Sequence, residues 1–480
     1  MYLLFFLLFS RLISMYFMPL NDTTEARYGE IARIMLETGN WITPMQQYGI
    51  PFWAKPPLST WLSALSMKLF GVNELAVRLP GLLLSIGVLG LIWGLANKRS
   101  NADVAKISVL VLAGSIFFLL DAGTVMTDPS LLFSITLTLV SFWRAVVGGS
   151  TLWGYLFFVA QGIGLLAKGP IAIVLPAMPI FIWVLRHNKW RELWQYLPWI
   201  KGGLITLSIA LPWYVLAEVK TPGFLNYFIL GENIQRFLQP GWHGDKYGFA
   251  HTAPYGMIWI YAFLGIFPWI IPCVFWLGRH GRQLPALCKD DDGWVSYLIL
   301  CTIIPIVFFT FARNIIYPYV FPSLPTFALL FAELAHRSQV SLKNQYRLIP
   351  LASISGIVFL CVAIVFVVKP ELVAKSQNRV VDIFKKEALT AESHLIYWGY
   401  KTDYSAQFYS AGHADSTLDA HHLCNLLSNN TRNVVVLDSD IPREFPDKIL
   451  AKLNEITVIP MLHKRLRILR AENIKCSELF

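Results

Sequence analysis

Residues 21–61 read NDTTEARYGEIARIMLETGNWITPMQQYGIPFWAKPPLSTW, the first polar stretch after an apolar opening. Taken as a helix from Thr23, it sets Tyr28, Ile31, Ala32, Met35 and Leu36 at the i, i+3, i+4, i+7, i+8 spacing of an amphipathic stripe. Arg27, Glu30, Arg33 and Glu37 fall on its other faces. Gly39 stops the helix, and Trp41, Phe52 and Trp53 suit a membrane–water boundary. The expectation is a helix lying on a membrane surface rather than crossing it. Asp22, Glu25 and Lys55 would then sit just above the lipid.

The rest of the chain supplies the membrane. Of its 480 residues 55% are hydrophobic and 15% charged, and the mean hydropathy is +0.51. A soluble chain of this size would carry about 25% charge, so this is an integral membrane protein. The net charge of +10 does not point to nucleic acid, because much of the basic charge falls in short loops between apolar runs. Residues 1–20 lack a basic leader and a small-residue cleavage site before Asn21, and read as a retained span. Further apolar runs fall near 75–96, 104–120, 129–147, 152–167, 170–186, 200–217, 257–277, 295–311, 317–335 and 348–368. The expectation is an all-α polytopic membrane protein of about 11 transmembrane helices plus surface-lying ones.

The run at 57–70 is ambiguous, and loop charge decides it. If it stays on the surface, one side of the membrane collects Lys98, Arg99, Lys189, Arg191, Arg279, Arg282, Lys289, Arg337, Lys343 and Arg347. That is a positive-inside pattern with a cytoplasmic N-terminus. The opposite, periplasmic side holds the first outside loop (21–74), the 121–128 loop, Lys168, the 218–254 loop, Arg313 and everything after Lys369. The chain thus divides into a membrane domain, 1–369, and a small soluble α/β domain, 370–480. In the latter, 394–400 and 433–440 read as strands and 446–456 as a helix. Of six scattered cysteines, Cys424 and Cys476 are either paired outside the cytoplasm or two free thiols.

The acidic candidates are Asp22, Glu25 and Asp128. Asp22-Thr-Thr-Glu25 has the form of a capping box, which accounts for both carboxylates but does not bar either from acting as a base. Asp128 precedes Pro129, a common helix start, and Asp121 has no motif around it. Arg27, Lys55, Lys168, Arg236 and Arg313 all fall on the side where the charge rule disfavours them, in Pro- and Gly-stiffened contexts. They either snorkel to headgroups or converge on an anion at the lipid surface, of which a lipid phosphate is the obvious one. His243, His251, His413, His421 and His422 match no ligand spacing and read as solvated.

The chain resembles the C-type membrane glycosyltransferases that use polyprenyl-phosphate sugars: the aminoarabinose transferases of lipid A and, more distantly, protein O-mannosyltransferases. The motifs agree in order over about 1–370. They are Glu25-Ala-Arg27-Tyr28 with Glu30-Ile-Ala-Arg33, Gly39-Asn-Trp41-Ile-Thr-Pro44, Lys55-Pro-Pro-Leu58, Asp128, Ala167-Lys-Gly-Pro170, Pro212-Trp-Tyr214, Glu232-Asn-Ile-Gln-Arg236-Phe237, and Arg313 with Tyr317-Pro-Tyr319 and Pro322. The resemblance implies a catalytic base in the first outside loop, here Asp22 or Glu25, with Asp128 as the second acid. It assigns the carrier phosphate to Arg27, Lys55, Arg236 and Arg313, joined by Tyr317 or Tyr319. Two positions depart from it. The lipid A enzyme has Glu before the lysine of the KPP motif and His after the acid equivalent to Glu232, and those two form a metal site. Here the residues are Ala54 and Asn233, so no structural zinc is expected, while a divalent cation is left open.

The resemblance implies inverting-type transfer of a sugar from a polyprenyl-phosphate donor at the outer face of the bacterial inner membrane. The acceptor expected is a hydroxyl or phosphate of lipid A, lipopolysaccharide, another envelope glycan or a protein. A lipid or sugar-lipid transporter is the rival from another class, but it would carry ionisable groups near mid-membrane. The central runs here are nearly devoid of charge, which favours the enzyme.

Overall fold

The computed structural model describes residues 2–474 apart from 249–250, 290–291, 339–347, 391, 429–430, 440–444, 463 and 473. Lys343, Arg347 and Cys476 lie outside the described residues. The chain is mostly helical. α1 (Tyr2–Phe17) leads into α2 (Thr24–Thr38), a short hairpin of β1 (Met45–Gln47) and β2 (Ile50–Pro51), and α3 (Leu58–Phe70). The bundle continues through α4 (Glu74–Arg99), α5 (Ala102–Gly114), α6 (Ile116–Asp121), α7 (Asp128–Val146), α8 (Thr151–Lys168), α9 (Ile171–His187), α10 (Trp190–Tyr196) and α11 (Trp199–Lys220). A π-helical stretch, Asn226–Gln235, runs on into α12 (Arg236–Leu238). Then come α13 (Met257–Gly265), α14 (Ile270–His280), α15 (Leu284–Leu287), α16 (Trp294–Thr310), a 3₁₀ stretch Tyr317–Ser323, α17 (Leu324–Arg337) and α18 (Leu348–Val368).

Among the described residues six helices are long and apolar enough to cross a membrane: α4, α7, α8, α11, α17 with its 3₁₀ lead-in, and α18. α1, α9 and α16 are apolar but shorter. Two runs expected to be continuous are broken. Residues 104–120 split into α5 and α6 at Ser115, and 257–277 bends by 99° between α13 and α14. Pro268, which has no N–H to continue a helical ladder, stands at that bend.

Side-chain contacts separate the two ends of the bundle. At one end Glu25 accepts from Val125 N–H, Arg27 donates to the Tyr247 carbonyl, Lys55 meets Glu232 and Lys168 meets Asp128. At the other, Arg99 pairs with Asp292, Ser100 donates to Glu333 and Arg337 donates to the Leu287 carbonyl. α3 begins beside Lys55 and ends just before Asn73, whose side chain caps α4 by accepting from Ala76 N–H. It therefore starts and finishes at the same end, as the loop charges require.

After α18 comes a five-stranded mixed sheet in the order β4-β3-β5-β7-β6, where β3 is Leu395–Trp398, β4 Ala414–Thr417, β5 Asn433–Asp438, β6 Asn454–Met461 and β7 Lys464–Ala471. β3, β4 and β5 run parallel, and β5, β7 and β6 antiparallel. Alternate residues serve two cores. Leu395, Tyr397, Val434 and Val436 pack with α19 (Asn378–Glu387), and Ile396, Trp398, Val435 and Leu437 with α21 (Ala420–Leu427). Burial on both faces explains the continuous apolar runs that marked two of these strands. The helix expected over 446–456 is only α22 (Asp447–Leu450), and from Asn454 the chain pairs with β7 instead.

α2 departs most from expectation. It does not lie on lipid with one face in water: Ala26 and Tyr28 through Met35 are buried. Its apolar stripe packs on Phe52, Ala64 and Met67, and Phe408 of α20 (Tyr404–Tyr409) closes over the same cluster. Gly29 permits this, since a Cβ there would lie 3.0 Å from Leu20 Cδ1 and 3.5 Å from the Phe408 ring. The polar face is satisfied internally, Arg33 reaching both Glu30 oxygens at 2.7 and 2.8 Å and Tyr48 at 2.9 Å.

Candidate active site

A cavity opens at the end of the bundle where the first loop, the 121–128 loop, the π-helical stretch and the 3₁₀ stretch meet. Its polar lining is Lys55, Asp128, Lys168, Glu232, Asn233, Arg236, Asn314 and Tyr319, and Leu131, Leu175, Phe237 and Phe309 form an apolar wall. Each element delivers its residue for a local reason. Lys55 sits in Ala54-Lys55-Pro56-Pro57, where two prolines fix the backbone ahead of α3. Asp128 opens α7 with Pro129 in its first turn. Lys168 ends α8, where Gly169 at φ +82° turns the chain with Phe228 too close for any side chain. Glu232 in the π-helical stretch and Arg236 at the start of α12, four residues apart, face the same way.

The cations of this cavity are matched with carboxylates. Lys168 Nζ lies 2.6 Å from Asp128 and 5.4 Å from the centroid of the Tyr319 ring, which itself stacks on Phe309. Lys55 Nζ donates to Glu232 at 2.8 Å. Arg236 reaches both Glu232 oxygens, at 3.2 and 3.0 Å, and lies 3.4 Å from Asp245. Burial works against the charge of Glu232, but Lys55 and Arg236 outweigh it and hold the carboxylate below its ordinary range. Asn314 fixes the rear, donating to the Arg236 and Gln239 carbonyls at 2.5 and 2.7 Å and accepting from Gly241 N–H at 3.1 Å.

Of the ten residues expected from sequence, the cavity gathers Lys55, Asp128, Lys168, Arg236 and Tyr319. The other five lie outside its lining. Arg27 is spent on the Tyr247 carbonyl at 2.6 Å, between the Tyr28 and Phe52 rings. Arg313 lies over the Tyr255 ring at 4.4 Å. Tyr317 packs on Phe117 and Phe321.

Asp22 and Glu25 do not form a capping box. The residue capping α2 is Thr23, which makes no side-chain cap bond. The Asp22 carboxylate accepts from the Ser405 N–H at 3.0 Å and from the Ser405 hydroxyl, binding the C-terminal sheet region to the first loop. Burial, helped by the Asp403 charge, pushes Asp22 up to about 7. Glu25 is held 2.7 Å from Arg78. Although buried, Glu25 is kept below the ordinary carboxylate range by that guanidinium. Asp128, likewise, is committed to Lys168 and caps nothing by side chain.

Sequence reasoning missed Glu232, Asn314 and Arg78. Arg78 also donates to the Met15, Met18 and Pro19 carbonyls, pinning α1, α2 and α4 together. A charge inside an apolar run was its signal. Glu232 was visible as the i−4 neighbour of Arg236. Asn314 had no mark beyond following Arg313.

A family model described as dolichyl-phosphate-mannose-protein mannosyltransferase matches residues 2–228, just under half of the chain. Among curated proteins, the undecaprenyl phosphate-alpha-4-amino-4-deoxy-L-arabinose arabinosyl transferase of Edwardsiella ictaluri is 28% identical over 325 residues, 65% of this chain and 55% of that enzyme. The same enzyme of an Enterobacter species is 29% identical over 342 residues, 68% of this chain and 57% of that one. The chain thus spans a little over half the length of the curated relatives it matches. Among solved structures, ArnT from Cupriavidus metallidurans bound to undecaprenyl phosphate superposes with a TM-score of 0.76 at 18% identity, covering 97% of this chain and 96% of that one. The apo form gives 0.73 at 19% identity. The fold is therefore that of ArnT, and the resemblance drawn from the ordered motifs recurs in all three comparisons.

Proposed function

We propose that the chain is a membrane glycosyltransferase moving a sugar from a polyprenyl-phosphate carrier to an acceptor on lipid A, lipopolysaccharide or another envelope glycan. The observation that carries this is the cavity itself, with Lys55, Lys168 and Arg236 beside Asp128 and against an apolar wall. Lys55 and Arg236 offer a phosphate charge-assisted bonds, Lys168 being paired with Asp128, and the wall of Leu131, Leu175 and Phe309 suits an isoprenoid tail. The named activity of the arabinosyl transferases, and the undecaprenyl phosphate in the ArnT complex, support the donor class. The membrane region, 1–369, would cross eleven times, with the 370–480 region and the site in the periplasm. A disulfide-bonded Cys424 in that region suits an oxidising compartment.

In this reading Asp128 is the base, because of the three candidate acids it is the one that lines the cavity, while Asp22 and Glu25 lie outside that lining. The acceptor O–H gives its proton to the Asp128 carboxylate while its oxygen attacks the sugar's anomeric carbon. The bond from that carbon to the phosphate oxygen breaks, and the electron pair leaves with the phosphate, held by Lys55 and Arg236. No step is assigned to zinc. Ala54 has no donor side chain, and Asn233 already donates to the Phe228 carbonyl at 2.7 Å.

Transfer from a labelled polyprenyl-phosphate sugar to extracted envelope lipids tests the reading. Asp128→Asn should lower turnover by about 10²-fold or more. Normal turnover in that variant would return the role to the first loop. Mass spectrometry of envelopes from cells with and without the gene should show one missing glycosyl mass, and its absence would remove the enzyme reading.

A further inference from the structure

We infer that Glu232 is a resident counter-anion, standing where the carrier phosphate binds, displaced as the donor enters and helping to expel the spent carrier. This rests on the glycosyltransferase reading of the cavity. The Glu232 side chain has no exposed surface, yet it engages Lys55 at 2.8 Å, Arg236 at 3.0 and 3.2 Å and the Tyr227 hydroxyl at 3.3 Å. Both cations best placed for a phosphate are thus already compensated. A phosphate added to this arrangement would meet a fixed carboxylate rather than open positive charge, and like charges held together in a desolvated site repel strongly. Glu232 must swing away for either cation to bind the carrier, and its return competes with the phosphate.

The backbone beneath it is wound accordingly. Asn226–Gln235 is π-helical, a rare winding frequently found at functional sites, and it passes into α-helix at Arg236. The Asn233 side-chain amide donates to the Phe228 carbonyl five residues back, holding this winding from the side. Rewinding of this stretch would turn Glu232 away from Lys55. Asn314, gripping the Arg236 carbonyl, anchors the far end.

The competing explanation is that Glu232 merely holds Lys55 and Arg236 in place, and it predicts the opposite sign. The affinity of the detergent-solubilised full chain for undecaprenyl phosphate decides between them. Glu232→Gln should bind about tenfold more tightly than wild type, and the gain should vanish in Lys55→Ala/Glu232→Gln. In turnover, KM for the donor and kcat should fall together as the product leaves more slowly. Unchanged or weaker binding by a variant that melts normally overturns the inference. A measurement on the wild type stands beside the variant: saturating undecaprenyl phosphate should alter amide hydrogen exchange across 226–236, and unaltered exchange with the lipid bound also overturns it. If the wild type does not bind undecaprenyl phosphate at all, the reading of the cavity falls with it. Binding without tightening removes only the role of Glu232.

Discussion

Lys55 reaches across the cavity from a turn stiffened by two prolines, so its ammonium has few other places to go. Arg313, on the same side of the membrane, lies over the Tyr255 ring instead. Lys55→Ala should therefore raise the donor KM by about 10- to 100-fold, the loss of a charge-assisted bond worth about 1.5–3 kcal/mol. Arg313→Ala should leave KM within about twofold; equal rises in steady-state assays would place the phosphate nearer Tyr255. Asp22 carries a different prediction. Its folded value, about 7, lies above its ordinary 3.8. The sheet region's hold on the first loop is thus strongest with Asp22 protonated, below 3.8, and weakens as pH rises through about 7. Exchange at 403–409 should accelerate from about pH 5 to about pH 8 in the wild type and stay flat in Asp22→Asn, apart from intrinsic amide chemistry. An equal pH response in both would deny Asp22 the role. Residues 21–27 hold no hint of this contact, because its partner lies 383 residues away. Local sequence offered a capping box, and a distant serine took the carboxylate.

At the scale of elements, what the sequence shows is what an element needs for itself. The apolar runs gave the helices, and Gly39, in the left-handed conformation at φ +66°, ends α2 where expected. The β3 and β5 strands showed as continuous apolar runs because both their faces are covered. β6 hid because half of its residues are exposed, β7 because Arg465, Arg467 and Arg470 interrupt the apolar residues it buries, Leu466, Ile468 and Leu469, and Asn454-Glu455-Ile456 reads as well in a helix as in a strand. What an element packs against was less visible. α2 has the pattern of a surface helix, and only the Phe408 contact shows that it is sandwiched. Arg78 makes this concrete. Its side chain is 2% exposed, and it binds Glu25 together with three carbonyls at the end of α1. Breaking one partner of such a buried pair costs about 3–5 kcal/mol, because the other charge is left alone. Arg78→Met should lower the melting temperature sharply and cut the yield of monodisperse protein. Glu25→Gln should do less, since it keeps hydrogen-bonding atoms beside the guanidinium. Thermal unfolding in detergent gives the comparison. A mild Arg78→Met would mean that α1, α2 and α4 hold together by apolar packing alone.

Across the whole molecule, chemistry-bearing residues and positive loops occupy opposite ends. Arg99 with Asp292, Ser100 with Glu333 and Arg337 with the Leu287 carbonyl mark one end. The cavity, the first loop and the sheet region share the other, joined through Asp22 and Ser405. The loop-charge rule places the first end in the cytoplasm. The sequence predicts sidedness as a sum over many loops, each of which adds charge on one face. A cysteine at an exposed position of each end tests it. Ala451, at the end of α22, is exposed, whereas Ser393 is buried and would be silent on either side. Asn97, in the last turn of α4, is the exposed counterpart at the other end. In intact spheroplasts Ala451→Cys should react with a membrane-impermeant thiol reagent, and Asn97→Cys only after lysis, each measured against the parent chain. The reverse pattern would turn the molecule over and put the cavity in the cytoplasm. A polyprenyl-phosphate donor would then have no need to be flipped before use. Labelling of both cysteines in intact cells would mean that α3 or another short apolar helix crosses after all. The positive-inside assignment, and with it the outer location of Asp128 and Lys55, would then have to be redrawn.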